Sequence, residues 1–222
     1  LYFKQIIFWK DIYGKLDPKF EMAYDAIKDD PNYQVKNIRG MELDQVARDF
    51  QEVYNGAWGG HAGFTKLKLQ VAQNIMKALK PIIDRDIVLF TYYKDKPIAF
   101  YINIPELNDI FKYVNGNLNW WGKLVFIFRK YFSPPRMMVG IVFGVVRDFH
   151  GKGIDTAMIY WARQNMVTLD KYDQSILTWI GDFNPKMLNV AIGLGGEEWR
   201  TLATYRYNFD REIPFERHPI IG

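Results

Sequence analysis

The segment 137–168 constrains the fold more than any other. Residues 137–146, MMVGIVFGVV, form the most apolar strand pattern of the chain. They run into Arg147-Asp148-Phe149-His150-Gly151-Lys152-Gly153, and a helix is expected over 154–168. Ile154, Ala157, Met158, Trp161 and Met166 mark its buried face by their spacing. A short glycine-containing loop between a strand and a helix aims several backbone N–H groups at one spot, where the helix N-terminus adds partial positive charge. An anion, above all a pyrophosphate, is the natural occupant. Gly151 and Gly153 let the backbone approach it with no Cβ in the way. Arg147, His150 and Lys152 add positive or polar groups at the same mouth. The same loop also occurs as a plain strand–helix turn with no ligand, and the motif alone does not separate the two.

The rest of the chain supplies partners for this unit. Strands are expected at 3–13, 35–39, 86–93, 97–104, 174–181 and 199–209, with Lys94-Asp95-Lys96 as a hairpin turn. Helices are expected between Asp17-Pro18 and Asp30-Pro31, at 43–54, from a Thr65 cap to about Leu79, and at 185–194. Gly56, Gly59, Gly60 and Gly63 read as a loop. Residues 105–135 are less regular and contain an amphipathic stretch from Trp120 to Phe132. Strands alternating with helices late in the chain predict an α/β fold, a mixed sheet covered by helices. Residues 1–34 are expected to be a terminal segment that could close a preceding domain, with the main domain at 35–222. The run Ile6-Ile7-Phe8-Trp9 is costly to leave in water, so residues 1–15 are expected to add a strand to the body.

Composition removes several classes of function. With no cysteine, thiolate metal sites and cysteine nucleophiles are excluded. His61, His150 and His218 lack metal-ligand spacing, so no metal is expected. There is no Gly-x-Ser-x-Gly elbow and no P-loop. A net charge of +4 is too low for a dedicated nucleic-acid binder, so no nucleic-acid partner is expected; it suits an anionic cofactor, an acidic substrate or an anionic membrane surface. No apolar run is long enough to span a bilayer and no signal peptide is visible, so a cytoplasmic location is expected.

Downstream context sharpens the reading. Asp182-Phe183-Asn184-Pro185 follows the 174–181 strand and opens a helix that closes on Leu194-Gly195-Gly196. Together with His150-Gly151-Lys152-Gly153, this order resembles the GNAT superfamily of N-acetyltransferases, whose hallmark is a strand leading into Gln/Arg-x-x-Gly-x-Gly/Ala, then a strand and an Asn-initiated helix. Tyr54-Asn55-Gly56-Ala57-Trp58 is similar to a segment of the C-terminal half of large bacterial proteins of that superfamily. The resemblance implies a GNAT-like fold with a helical insertion before the central strand, and acyl transfer from acetyl-CoA or another acyl-CoA to a small-molecule amine. It implies that the cofactor is held by Val145, Arg147, Phe149, His150, Gly151, Lys152, Gly153, Ile154 and Asn184, in a cleft where the 137–146 strand splays from 174–181. Two positions depart from the pattern. Asp148 stands where Gln or Arg is usual, and Ala191 where many members carry a thiolate-protonating tyrosine. They motivate the alternative of a non-catalytic domain that binds a ligand or partner; a donor such as aminoacyl-tRNA is a third reading.

No catalytic residue is fixed by the sequence. Glu106 could accept a proton from the amine, as could Asp109, or both could simply favour a helix start. His61 could face the acceptor or be merely exposed. The segments 56–63 and 103–121, with Asn103, Asn108, Trp120 and Trp121, are expected to line the acceptor entrance. Their aromatic walls suit an amine with an apolar body better than a polyamine. The stretch 120–132 is either a helix covering the sheet or a peripheral membrane or lipid contact.

Overall fold

The computed structural model describes residues 1–59 and 64–220. In chain order the elements are β1 (Phe3–Asp11), α1 (Lys19–Asp25), β2 (Tyr33–Asn37), α2 (Leu43–Trp58), α3 (Leu69–Leu79), β3 (Val88–Tyr93) and β4 (Lys96–Pro105). There follow α4 (Asn108–Phe111), α5 (Trp120–Phe132), β5 (Met137–Val145), α6 (Ile154–Leu169), β6 (Gln174–Gly181), α7 (Pro185–Gly193) and β7 (Glu197–Thr204). The strands form one mixed sheet in the order β2-β3-β4-β5-β6-β1-β7. Among the described residues only β5 and β6 are parallel neighbours, as the crossover through α6 requires. Every other pairing is antiparallel.

Alternation along the strands sends side chains to two faces. On one face Val88, Phe90, Phe100 and Ile102 pack against Val46, Phe50 and Val53 of α2 and Met76 of α3. On the other, Leu89, Ala99 and Tyr101 meet Ile154, Ala157, Met158 and Ala162 of α6. Phe20 of α1, Ile159 of α6 and Leu194 beyond α7 share a further cluster, so these helices lie on the α6 side. The expected strand near the start of the chain forms, but in the sheet interior. β1 pairs with β6 on one side and β7 on the other, and Phe8 is buried among Ile180 and Ala191.

Three expectations are corrected. α2 does not stop at Tyr54 but runs through Gly56 to Trp58. A Cβ on Gly56 would come within 3.0 Å of Val146, so this glycine serves the close approach of α2 to the sheet rather than breaking the helix. Thr65 does not cap α3, which starts at Leu69 after Lys68. The last strand ends at Thr204, leaving Tyr205, Tyr207 and Phe209 exposed. The insertion before β5 is helical, as expected, but α5 is not a buried cover: Gly122 is its sole buried residue.

Candidate functional site

The site begins where β5 and β6 part. Their ladder runs from Met137↔Gln174 only to Gly140↔Leu177. At that level both strands are irregular. Asn103 of β4 faces Gly140 and Ile102 faces Val142, so Ile141 is an extra residue in β5. Similarly, β1 steps from Ile6↔Ile180 to Phe8↔Leu177, which displaces Thr178 and Trp179 of β6. An inserted residue bends its strand and disrupts local pairing, so the two edges diverge. The Thr178 hydroxyl donates to the Gly140 carbonyl at the fork. Gly140 is confined there, since a Cβ would lie 3.2 Å from both Asn103 Oδ1 and Tyr101 Cε2.

The fork opens a cleft of about 420 Å³. β5 contributes Gly140 to Phe143, β6 Leu177 to Gly181, α7 Met187, Val190 and Ala191, and α2 Tyr54 and Trp58. The walls are mainly apolar. Polar groups come from Thr178, Asn184 and the phenols of Tyr54 and Tyr101. Burial pushes the Tyr101 phenol up to about 12, with the Ser175 hydroxyl pulling the other way, so it is a neutral donor at ordinary pH. Trp58 lies against Gly144, where a Cβ would come within 2.7 Å of its ring, and stacks on Tyr54 with centroids 4.9 Å apart.

At the end of β5 the chain makes a 3₁₀ turn, Arg147–Phe149, and then two left-handed glycines, Gly151 at φ +73° and Gly153 at φ +72°. Gly153 is the N-cap of α6, with no side-chain cap. Among the described residues, no acceptor is found for the backbone N–H groups of Gly151, Gly153, Ile154, Asp155 and Thr156. The first of the helix-internal bonds instead runs from Ala157 N–H to the Gly153 carbonyl. This is a concave set of donors at a helix N-terminus, the arrangement that holds anions. Arg147, Asp148 and Lys152 are exposed around it, and Asp148 has no ion-pair partner among the described residues. His150 is differently engaged: its Nε2 donates to the Val145 carbonyl at 2.8 Å. Phe149 packs edge-on against Tyr93, with Lys152 Nζ 4.7 Å from its ring. The Ile154 side chain is in the core, which leaves its N–H as the group it offers.

Asn184 caps α7, its Oδ1 accepting from Met187 N–H at 3.2 Å, and it also lines the cleft. Ala191 is fully buried in the cleft wall, so α7 presents no hydroxyl there. Glu106 stands at the exit of β4, where its backbone N–H donates to the Met137 carbonyl and its carboxylate accepts from Asn108 N–H at 2.9 Å. Neither Glu106 nor any other residue of 103–121 lines the cleft. Of the 56–63 segment, Trp58 lines it, beside Tyr54 on the same helix α2. Their signal was in the sequence as an aromatic pair four residues apart, i and i+4 on one helical face. His61 lies outside the described residues.

No family model matches the chain. It is 22% identical over 165 residues to the bacterial ceramide synthase of Caulobacter vibrioides, which covers 73% of this chain and 43% of that protein. It is 22% identical over 197 residues to Protein YghO of Escherichia coli, covering 86% of this chain and 50% of that protein. The chain thus spans about half the length of the curated relatives it matches. Among solved structures, a tandem GNAT protein from the clavulanic acid biosynthesis pathway superposes on 90% of this chain and 51% of its own, with a TM-score of 0.56 at 9% identity. A GCN5-related N-acetyltransferase from Sphaerobacter thermophilus covers 90% of this chain and 50% of its own, with a TM-score of 0.53 at 8% identity. The chain has the GNAT fold.

Proposed function

We propose that this GNAT-fold domain transfers an acyl group from acyl-CoA to the amine of a small molecule with an apolar body, such as an amino-acid derivative or a lipid-like amine. One observation carries the reading: an apolar-walled cleft opens where parallel β5 and β6 part, and β5, which walls it, runs on into a helix N-terminus whose N–H donors find no acceptor among the described residues. Acyl-CoA matches both ends of that arrangement. Its pyrophosphate would take the donors at Gly151 to Thr156, with Arg147 and Lys152 beside them. Its pantetheine amides would pair with the open edges of β5 and β6, and Asn184 has its Nδ2 left to offer. A ceramide is an amide of a long-chain amine, so similarity to a ceramide synthase supports an apolar acceptor or acyl chain.

In the reaction the amine nitrogen bonds to the thioester carbonyl carbon, the C–S bond breaks, and coenzyme A leaves as the thiolate. The nitrogen loses a proton, which solvent or the thiolate takes up. The protein's contribution is chiefly orientation, worth several kcal/mol when two reactants are held in line, of the order of 7–11. The bulge at Ile141 frees backbone from the ladder beside the reacting carbonyl, where an N–H can polarise it. A non-catalytic reading is favoured by Ala191 and Asp148. Calorimetric titration with coenzyme A, followed by transfer assays with acetyl-CoA and a long-chain acyl-CoA against apolar amines, separates the two. Gly151→Val is expected to weaken coenzyme A binding. Binding without transfer to any amine would favour the non-catalytic domain. No binding at millimolar coenzyme A would sink the acyl-CoA reading altogether.

A further inference from the structure

Helix α5 is turned the wrong way for a water-soluble surface. An amphipathic helix normally buries its apolar stripe. Here Trp120, Trp121, Ile127, Phe128, Tyr131 and Phe132 are each between 52% and 75% exposed, and together they form the outward side of one 13-residue helix. The inward side carries Gly122, Phe126 against Phe111, and the two basic residues of the last turn. Arg129 lies 3.3 Å from the centroid of the Tyr113 ring, and Lys130 Nζ donates to the Pro81 carbonyl. The cations therefore root the helix on the body while the aromatics face away from it. A contiguous apolar patch of this kind marks an interaction surface.

We propose that α5 is a membrane-surface contact that seats the protein on an anionic lipid bilayer. Charge selects this occupant. No acidic residue lies between Ile110 and Arg147; Lys123 is exposed beside the aromatic face, and the half-buried Arg129 and Lys130 add positive charge at its foot. A second copy docked symmetrically on the same face would bring these cations together. Anionic headgroups pair with them instead, and Trp and Tyr favour the headgroup level. The length and composition fit a helix lying in the interface: 13 residues are too few to span a bilayer, and aromatics combine with Lys and Arg. The Asn119 side chain caps the helix at Gly122 N–H, so α5 is already formed and need not be ordered on binding. This surface contact goes beyond the acyl-transfer reading and does not depend on it.

Flotation of the full chain with phosphatidylcholine vesicles, with and without phosphatidylserine, tests it in the absence of acyl donor and amine. Binding to the phosphatidylserine vesicles is expected, and it should weaken as salt rises. Trp121→Ser combined with Phe128→Ser should lower the partition coefficient at least tenfold, since each side chain withdrawn from the interface forfeits apolar burial. Lys123→Gln should lower it about fivefold, the effect of one cation near an anionic surface. Circular dichroism checks that both variants keep the wild-type fold. Failure of the wild type to float with either vesicle would overturn the proposal. So would binding that ignores both variants, or a concentration-dependent dimer in sedimentation that the double variant abolishes.

Discussion

Replacing Gly144 by alanine tests how α2 is seated on the sheet and thereby shapes the cleft. A Cβ at this position would fall 2.7 Å from Cη2 and Cζ3 of Trp58 and 3.3 Å from Cζ of Phe100. Two of those contacts are closer than any relaxed structure tolerates, so Trp58 must move. It cannot move freely, because its ring stacks on Tyr54 and on Phe100. Overpacking of this sort costs about 1–3 kcal/mol. Against it, removing a glycine from a strand interior gains about 0.5–1 kcal/mol. The net expectation is a loss of up to about 2.5 kcal/mol by these two terms. Trp58→Leu removes the clashing atoms, so in that background the same Gly144→Ala change should become stabilising, by about 0.5–1 kcal/mol from the lost glycine alone. Urea unfolding of the wild type, both single variants and the double variant gives the coupling directly. An equal cost of Gly144→Ala in both backgrounds would refute the contact, and with it the account of how Trp58 comes to wall the cleft.

Three further outcomes follow from individual contacts. Asn184→Ala should cost about 1 kcal/mol through loss of the α7 cap, and Asn184→Asp should recover most of it, both read by thermal unfolding. Tyr92→Phe should cost about 1–3 kcal/mol, because the buried Asp49 carboxylate loses the phenol that donates to Oδ2 at 2.6 Å and keeps Gln45 as its other donor. Asp84 is opposed by burial, yet donors from Lys171, Tyr172 and the Asp86 N–H hold its carboxyl below the ordinary range. Its stabilising charge is therefore fully present above the unfolded value of about 3.9 and is lost as pH falls through the lower folded value. Asp84→Asn should destabilise the protein at neutral pH, and urea titrations should show the difference from wild type shrinking below about pH 4.

What the sequence determined by itself is what depends on near neighbours along the chain. The 137–168 strand, turn and helix were legible because hydrophobic period, left-handed glycines and a helix start are all local. The same holds for the hairpin at Lys94-Asp95 and the Asn184-Pro185 helix start, each written in two or three adjacent residues. Gly56 shows the limit of that logic: it reads as a breaker, but it is a contact, and only Val146 across the interface reveals this. Pairing partners are likewise non-local. Nothing in Phe3 to Asp11 announces a place between β6 and β7, because any apolar strand satisfies the same alternation and the position is set by which edge remains open. The cleft follows from two irregular registers meeting at one level, so the sequence pointed to its pair of strands and to the segment holding Trp58, but also to 103–121, which does not line it. The periodicity of α5 named an apolar face, and only the tertiary structure decided that the face points outward. The reason is common to these cases: a side chain's period is fixed by its own backbone, whereas its burial is fixed by what the rest of the chain brings to it.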